Sequence, residues 1–223
     1  MSNFFSNNFF SKSILGAALI LCGSATVAQA GYNPPDAEPP TKPTVANGSR
    51  TGCLMDDSAS TFTAIAPMAH LGRSDRQPEL FFYVPVLSDY RLDVGILDDT
   101  GNFVALAELE GEGTGISSVT IPEELTAGIY EIQAGITCDG FDYDARVNNY
   151  IEIAPDLAFE EFETAELYAD EGYWYDAFAL ADTTQKIDLL RDLADLETGT
   201  QQSNLAAIAE VLELTQQSFY DEP

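Results

Sequence analysis

Residues 129–138 read IYEIQAGITC, and the alternation in that stretch decides the fold class. Tyr130, Ile132, Ala134, Ile136 and Cys138 fall on one face at a period of two, opposite Glu131, Gln133 and Thr137. That is the pattern of a strand with one buried and one solvated face. Residues 90–97 repeat it, with Tyr90, Leu92, Val94 and Ile96 inward and Arg91 and Asp93 outward. Further short β-type runs at 61–66, 80–84, 103–109, 115–121 and 147–153 are separated by turn residues. Asp98-Asp99-Thr100-Gly101 reads as a hairpin turn, and Pro122 and Gly128 bracket another connection. The spacing predicts an antiparallel, immunoglobulin-like β-sandwich over residues 51–155.

After Pro155 the period lengthens to that of a helix, so the fold class is α+β with a C-terminal helical hairpin or bundle over 156–223. Asp156 is the expected N-cap of a helix carrying Phe159, Phe162, Ala165 and Ala169, and Gly172 is placed to end it. A second helix sets Trp174, Ala177, Phe178 and Ala181 on one stripe, closing a hairpin over 156–182. Ile187, Leu190 and Ala194 mark a third helix over 185–196. Leu205, Ile208, Leu212 and Phe219 mark a fourth over 203–219, after a polar break at 198–203.

Upstream of the β region, residues 1–30 have the build of a cleavable export signal. Lys12 precedes the apolar run 14–22, and Ala28-Gln29-Ala30 supplies a processing site before Gly31. The run is too short for a stable membrane span. Cys22 is a weaker candidate lipid acceptor, because Leu21 stands where a small residue is usual. Residues 31–50 hold Pro34, Pro35, Pro39, Pro40 and Pro43 among polar residues and read as a disordered tether. Asn47-Gly48-Ser49 matches a glycosylation triplet, but the match is cheap and a turn is the stronger reading.

The formal charge is −28, and loss of Lys12 with the signal makes the remainder one unit more negative. Such a surface repels nucleic acid and anionic membranes. With Cys22 removed, Cys53 and Cys138 form an even pair in an oxidising compartment, so a disulfide is expected. Closing so long a loop would contribute about 4–5 kcal/mol in the chain-entropy picture. No CxxC spacing or nearby histidine supports a metal site there.

Ala165, Tyr168, Gly172, Trp174 and Ala177 reproduce the spacing of the helix-turn-helix core of a tetratricopeptide repeat, which this segment resembles. Small Ala165 and Ala177 permit close helix approach, Gly172 turns the chain, and Trp174 fills the wedge. The repeat's closing proline and a second copy are missing, so the hairpin either docks on its own sandwich or lines a peptide groove.

A larger resemblance rests on an ordered set of motifs. They are Thr63-Ala64-Ile65-Ala66-Pro67; Phe81-Phe82-Tyr83-Val84-Pro85; Gly115-Ile116 with Ile121-Pro122; Gly128 and Tyr130 with Thr137-Cys138-Asp139; and Tyr168-Ala169 with Gly172-Tyr173-Trp174-Tyr175-Asp176-Ala177. Over roughly 50–196 the chain resembles an exported cyanobacterial family catalogued as domain of unknown function 928. The resemblance implies an extracytoplasmic, disulfide-compatible domain with a helical C-terminal part. It brings no reaction and no catalytic residue.

His70 is the only histidine and lies in a loop-like stretch without nucleophile partners, so it reads as a surface or half-buried residue. HExxH, phosphate-loop and dinucleotide motifs are all missing. Asp139, Asp142 and Asp144 form the best oxygen cluster for a hard cation, against the plainer reading of a polar hairpin turn. Tyr173 and Tyr175 are the aromatics expected to be free for stacking on a sugar.

The expected function is therefore that of a non-enzymatic, exported envelope protein of the periplasm or exterior that binds another protein through the hairpin, with no cofactor. A calcium- or carbohydrate-binding module is the first alternative, and a carboxylate-dependent hydrolase the second. A polar pocket would favour the alternatives, and an apolar patch on the hairpin the protein partner.

Overall fold

The structure, a computed structural model, describes residues 31, 32, 34, 39, 40, 45, 46, 54, 61–75, 77–86, 88–138, 142–154 and 164–220. Two sheets and a C-terminal helical region share one hydrophobic core. The larger sheet runs β1 (Val45–Ala46), β9 (Ala145–Ile153), β8 (Gly128–Thr137), β5 (Asp89–Leu97), β6 (Phe103–Glu112), with β3 (Gly72–Ser74) also on β9. The smaller sheet runs β2 (Thr63–Ala64), β4 (Glu79–Val84), β7 (Gly115–Thr120). All pairings are antiparallel except β3 with β9, which is parallel through Gly72↔Ile151 to Ser74↔Ile153.

The alternation read from β5 and β8 sets the inner face of the larger sheet. Tyr90, Leu92, Val94 and Ile96 are buried, as are Tyr130, Ile132, Ala134 and Ile136. Tyr90 reaches across to the smaller sheet, where its hydroxyl hydrogen-bonds Ser117. Ser117 is paired with Phe82, so that face of β4 looks toward the larger sheet. The other face of β4 carries Phe81, which meets Phe178 of α2 (Trp174–Leu180) edge-on at 4.9 Å. β4 is thus covered on both sides, and its run of buried residues lacks the half-exposed alternation of β5.

Among the described residues four helices close the fold: α1 (Ala165–Asp170), α2, α3 (Thr183–Leu196) and α4 (Gly199–Tyr220). Thr164 caps α1 by accepting from Leu167 N–H, so this helix starts later than the Asp156 cap that the sequence suggests. Residues 155–163 lie outside those described. Gly172, at φ +81°, makes the expected left-handed turn into α2. A capping box of Asp182 and Gln185 opens α3, and α4 begins at Gly199, inside the expected polar break. Among the described residues no helix is long and apolar enough to cross a membrane.

Within 31–50, expected as a tether, two described points are held to the body of the protein. Tyr32 is 4% exposed and belongs to the core, and Val45–Ala46 extend the larger sheet by pairing with Val147 and Asn148. Proline density argued for an extended chain, but one aromatic ring is enough to bind such a chain to the body of a protein.

Candidate functional site

The outer face of the larger sheet carries a trough of about 750 Å³. Its geometry follows from strand register. On one row across the strands stand Leu106, Gly95, Gln133 and Asn148, and on the next stand Glu108, Asp93, Gly135 and Arg146. Gly95 and Gly135 form a low floor, and each is covered by a ring. A Cβ on Gly95 would sit 2.4 Å from Phe103 Cε1, and one on Gly135 would sit 2.5 Å from Tyr143 Cδ1. Glycine inside a strand weakens the strand and commonly marks such a close approach.

The two walls differ in character. Phe103 and Leu106, on the edge strand β6, are 58% and 64% exposed, so the outer wall is apolar and open. The opposite wall is held rigidly: the Arg146 guanidinium lies 4.6 Å from the centroid of the Tyr143 ring, and the Tyr143 hydroxyl donates to Asp93. Burial, aided by that bond to a carboxylate, pushes the Tyr143 hydroxyl above its ordinary value. Asp93 also accepts from Arg91, at 3.1 Å. Between the walls lie the amides of Gln133 and Asn148, and Gln133 donates to Glu131 at 2.9 Å. Open aromatic surface, amides and both signs of charge therefore converge on one concave site.

The residues singled out from sequence lie elsewhere. Trp174 is fully buried, donates from Nε1 to Ile65 O at 2.9 Å and stacks on Phe178. Ala165 and Ala177 are buried beside it, and Tyr168 is half-buried against the same core. Among the described residues, Ala165, Trp174, Ala177 and Phe178 of the hairpin pack into the core shared with the β layers, while Leu167 and Leu180 stay exposed. Tyr173 and Tyr175, expected to be free, are each 1% exposed. α2 is apolar on nearly every side and is therefore enclosed, and burial pushes the Tyr173 hydroxyl up to about 12.

His70 is likewise not a surface residue. It is 6% exposed, its Nε2 pairs with the Tyr32 hydroxyl at 2.9 Å, and burial lowers its pKa. The Tyr32 ring stacks on His70 and meets Trp174 edge-on at 4.9 Å. Nearby, the buried Glu197 carboxylate accepts from Met68 and Ala69 N–H, and desolvation raises its pKa. These groups knit the loop 65–71 to the helices and are closed to a ligand by their burial.

Asp144 accepts from Cys138 N–H at 3.0 Å, while its own N–H donates to Ile136 O, so it secures the turn after β8. Asp142 is exposed, and Asp139 lies outside the described residues. Among the described residues no group of three or more His, Cys, Asp or Glu could hold a metal ion. Cys138 follows β8 and packs against the core, and Cys53 lies outside the described residues.

Residues 45–211 match the family described as Domain of Unknown Function (DUF928). The chain belongs to that family. No curated protein matches it. Among solved structures, this DUF928 protein is similar to the C-terminal domain of wzt at 12% identity and a TM-score of 0.37, covering 54% of this chain and 84% of that one. It is also similar to the CARDB domain of the PF1109 protein from Pyrococcus furiosus, solved in complex with di-metal ions. There the identity is 9%, the TM-score 0.26, and the coverage 38% of this chain and 84% of that one. A third likeness is to a glycosyl hydrolase family 2 member from Bacteroides cellulosilyticus DSM 14838, at 13% identity and a TM-score of 0.25, covering 42% of this chain and 14% of that one. Every one of these TM-scores is below 0.5, so none assigns a fold or a function to the DUF928 chain.

The trough was missed in the sequence because its parts are separate: Gly95, Phe103, Gln133, Gly135, Tyr143 and Arg146 share no motif. The one available signal was glycine at two outward positions of otherwise well-patterned strands.

Proposed function

We propose that this is an exported, non-enzymatic binding module with an immunoglobulin-like sandwich core, stapled by Cys53 and Cys138, whose ligand is a neutral carbohydrate chain. The observation that carries the reading is the open ring of Phe103 lying over Gly95 beside the Gln133 and Asn148 amides. A pyranose presents an apolar face of C–H groups and a rim of hydroxyls. The ring would take the face, and the amides, Asp93, Glu108 and Arg146 would take hydroxyls as donors and acceptors. A neutral ligand suits a chain of net charge −28, whose field opposes polyanions.

A protein partner docking on Trp174 is less favoured than a ligand in the trough, because Tyr173, Trp174 and Tyr175 are buried. Catalysis is disfavoured by the engagement of Asp93 with both Arg91 and Tyr143. The test is a panel of neutral and acidic glycans followed by titration calorimetry. Binding of a neutral glycan, weakened at least about tenfold in Phe103→Ala, supports the proposal. Failure to bind any glycan, or turnover of a bound one, overturns it.

A further inference from the structure

We infer that removal of the export signal completes the fold, by creating at Gly31 an ammonium group that pairs with Asp192 of α3. The inference rests on the export reading and is independent of what the trough binds. A point one bond from the Gly31 Cα, where a Cβ would stand, lies 3.9 Å from Asp192 Oδ2. The next residue already uses the same oxygen: Tyr32 N–H donates to Asp192 Oδ2 at 3.2 Å. The Gly31 backbone therefore runs beside that carboxylate, and an ammonium at its free end can turn toward it.

Three facts make Asp192 a fitting acceptor. It is only partly exposed, and among the described residues it forms no ion pair. The adjacent Arg191 is already engaged, by Glu213 at 2.6 Å and Asp188 at 4.0 Å. Asp188 and Asp195 repel Asp192 along the helix, and this repulsion adds to desolvation in raising its pKa. Among the described residues, a cation is what that carboxylate lacks.

Position along the chain favours the same pairing. Tyr32 is inserted between His70 and Trp174, and Gly31 is the residue just after the Ala28-Gln29-Ala30 processing site. An envelope signal protease uses water to hydrolyse the Ala30–Gly31 amide. The water oxygen joins the Ala30 carbonyl carbon, leaving a carboxylate there, and the nitrogen departs as the Gly31 ammonium. Before cleavage that nitrogen is an uncharged amide and gives Asp192 no counter-charge. Afterwards the ammonium fixes the Tyr32 backbone from one side while its ring is held from the other.

Two measurements test the inference. Intact mass of the protein recovered from the envelope is expected to begin at Gly31; a start at any other residue overturns it. Separately, protein made with a free Gly31 amine is compared with the same protein Nα-acetylated, each with Asp192 and with Asp192→Asn. Acetylation is expected to lower Tm by about 2–4 °C with Asp192 present and to have little effect in Asp192→Asn. Equal losses in both backgrounds overturn the ion pair, whatever the mass shows about export. Should Asp192→Asn not fold, the pKa of the Gly31 amine, followed by NMR on the ¹³C-dimethylated protein, decides. A value above the ordinary range of about 7.7–8.0 supports the pair, and one within that range overturns it.

Discussion

The ring of Tyr143 rests on Gly135, so close that a methyl group on Gly135 would stand 2.5 Å from Tyr143 Cδ1 and 2.7 Å from Cε1. This contact sets one wall of the trough. Because Tyr143 also donates to Asp93 and lies under Arg146, displacing its ring disturbs three side chains together.

Gly135→Ala is expected to expel the Tyr143 ring while leaving the inner face of β8 intact. Since a ring can swing outward, the cost to stability is expected to be modest, about 1–2 kcal/mol. Loss of the wall is expected to weaken ligand binding at least tenfold. Denaturant unfolding and titration with the glycan found on the panel measure the two effects separately.

Tyr32→Phe removes the hydroxyl paired with His70 Nε2 and keeps the ring between His70 and Trp174. The expected loss is about 1–2 kcal/mol, from a buried imidazole nitrogen without its partner. Tyr32→Ala removes the ring as well and is expected to cost about 3–5 kcal/mol. A loss below about 0.5 kcal/mol for the alanine variant, read by urea unfolding, would show that the N-terminal segment is a free tether after all.

Trp174→Phe takes away the donor to Ile65 O and part of the stack on Phe178. A loss of about 2–4 kcal/mol is expected, with glycan affinity unchanged, since the ring does not line the trough. Calorimetry on the folded variant checks the second half, and a large loss of affinity would return the hairpin to the binding site.

Asp176 gives a prediction in pH. Burial raises its pKa from 3.8 to about 6, and its carboxylate accepts from Asp75 N–H at 3.1 Å. An acid whose folded pKa lies above its unfolded value holds its proton more tightly when folded. Its contribution to stability is therefore greatest below pH 4 and declines as pH rises to about 6. Asp176→Asn is expected to remove that slope and to gain on the order of 1–3 kcal/mol over the wild type at pH 7. Glu197 and Asp192 titrate in the same direction in both proteins, so the difference in Tm between pH 4 and 7 isolates Asp176.

Much of the sheet was legible because its information is local. The inward series in β5 and β8 could be read residue by residue, and Gly172 announced its turn through the only backbone freedom that position tolerates. α3 and α4 were legible from their apolar stripes, with ends shifted by a few residues where caps decide. The parallel partner of β9 was not, because residues 72–74 are too few to show a period. Tyr173 and Tyr175 were misread because helical spacing says which residues share a stripe, not how many sides of the helix are covered.

Alternation along the backbone alone determined that this chain builds half-buried strands followed by helices, since side-chain direction in a strand is dictated by the pleat. Which outward residues meet was decided only when β6, β5, β8 and β9 took their register, bringing Phe103 over Gly95 and Tyr143 over Gly135. Tyr32 is the same case at longer range, for its partners stand 38 and 142 residues away, and only packing of the helices against the sheets brings them to it. Local sterics act between neighbours in sequence, whereas a binding surface is made by neighbours in space.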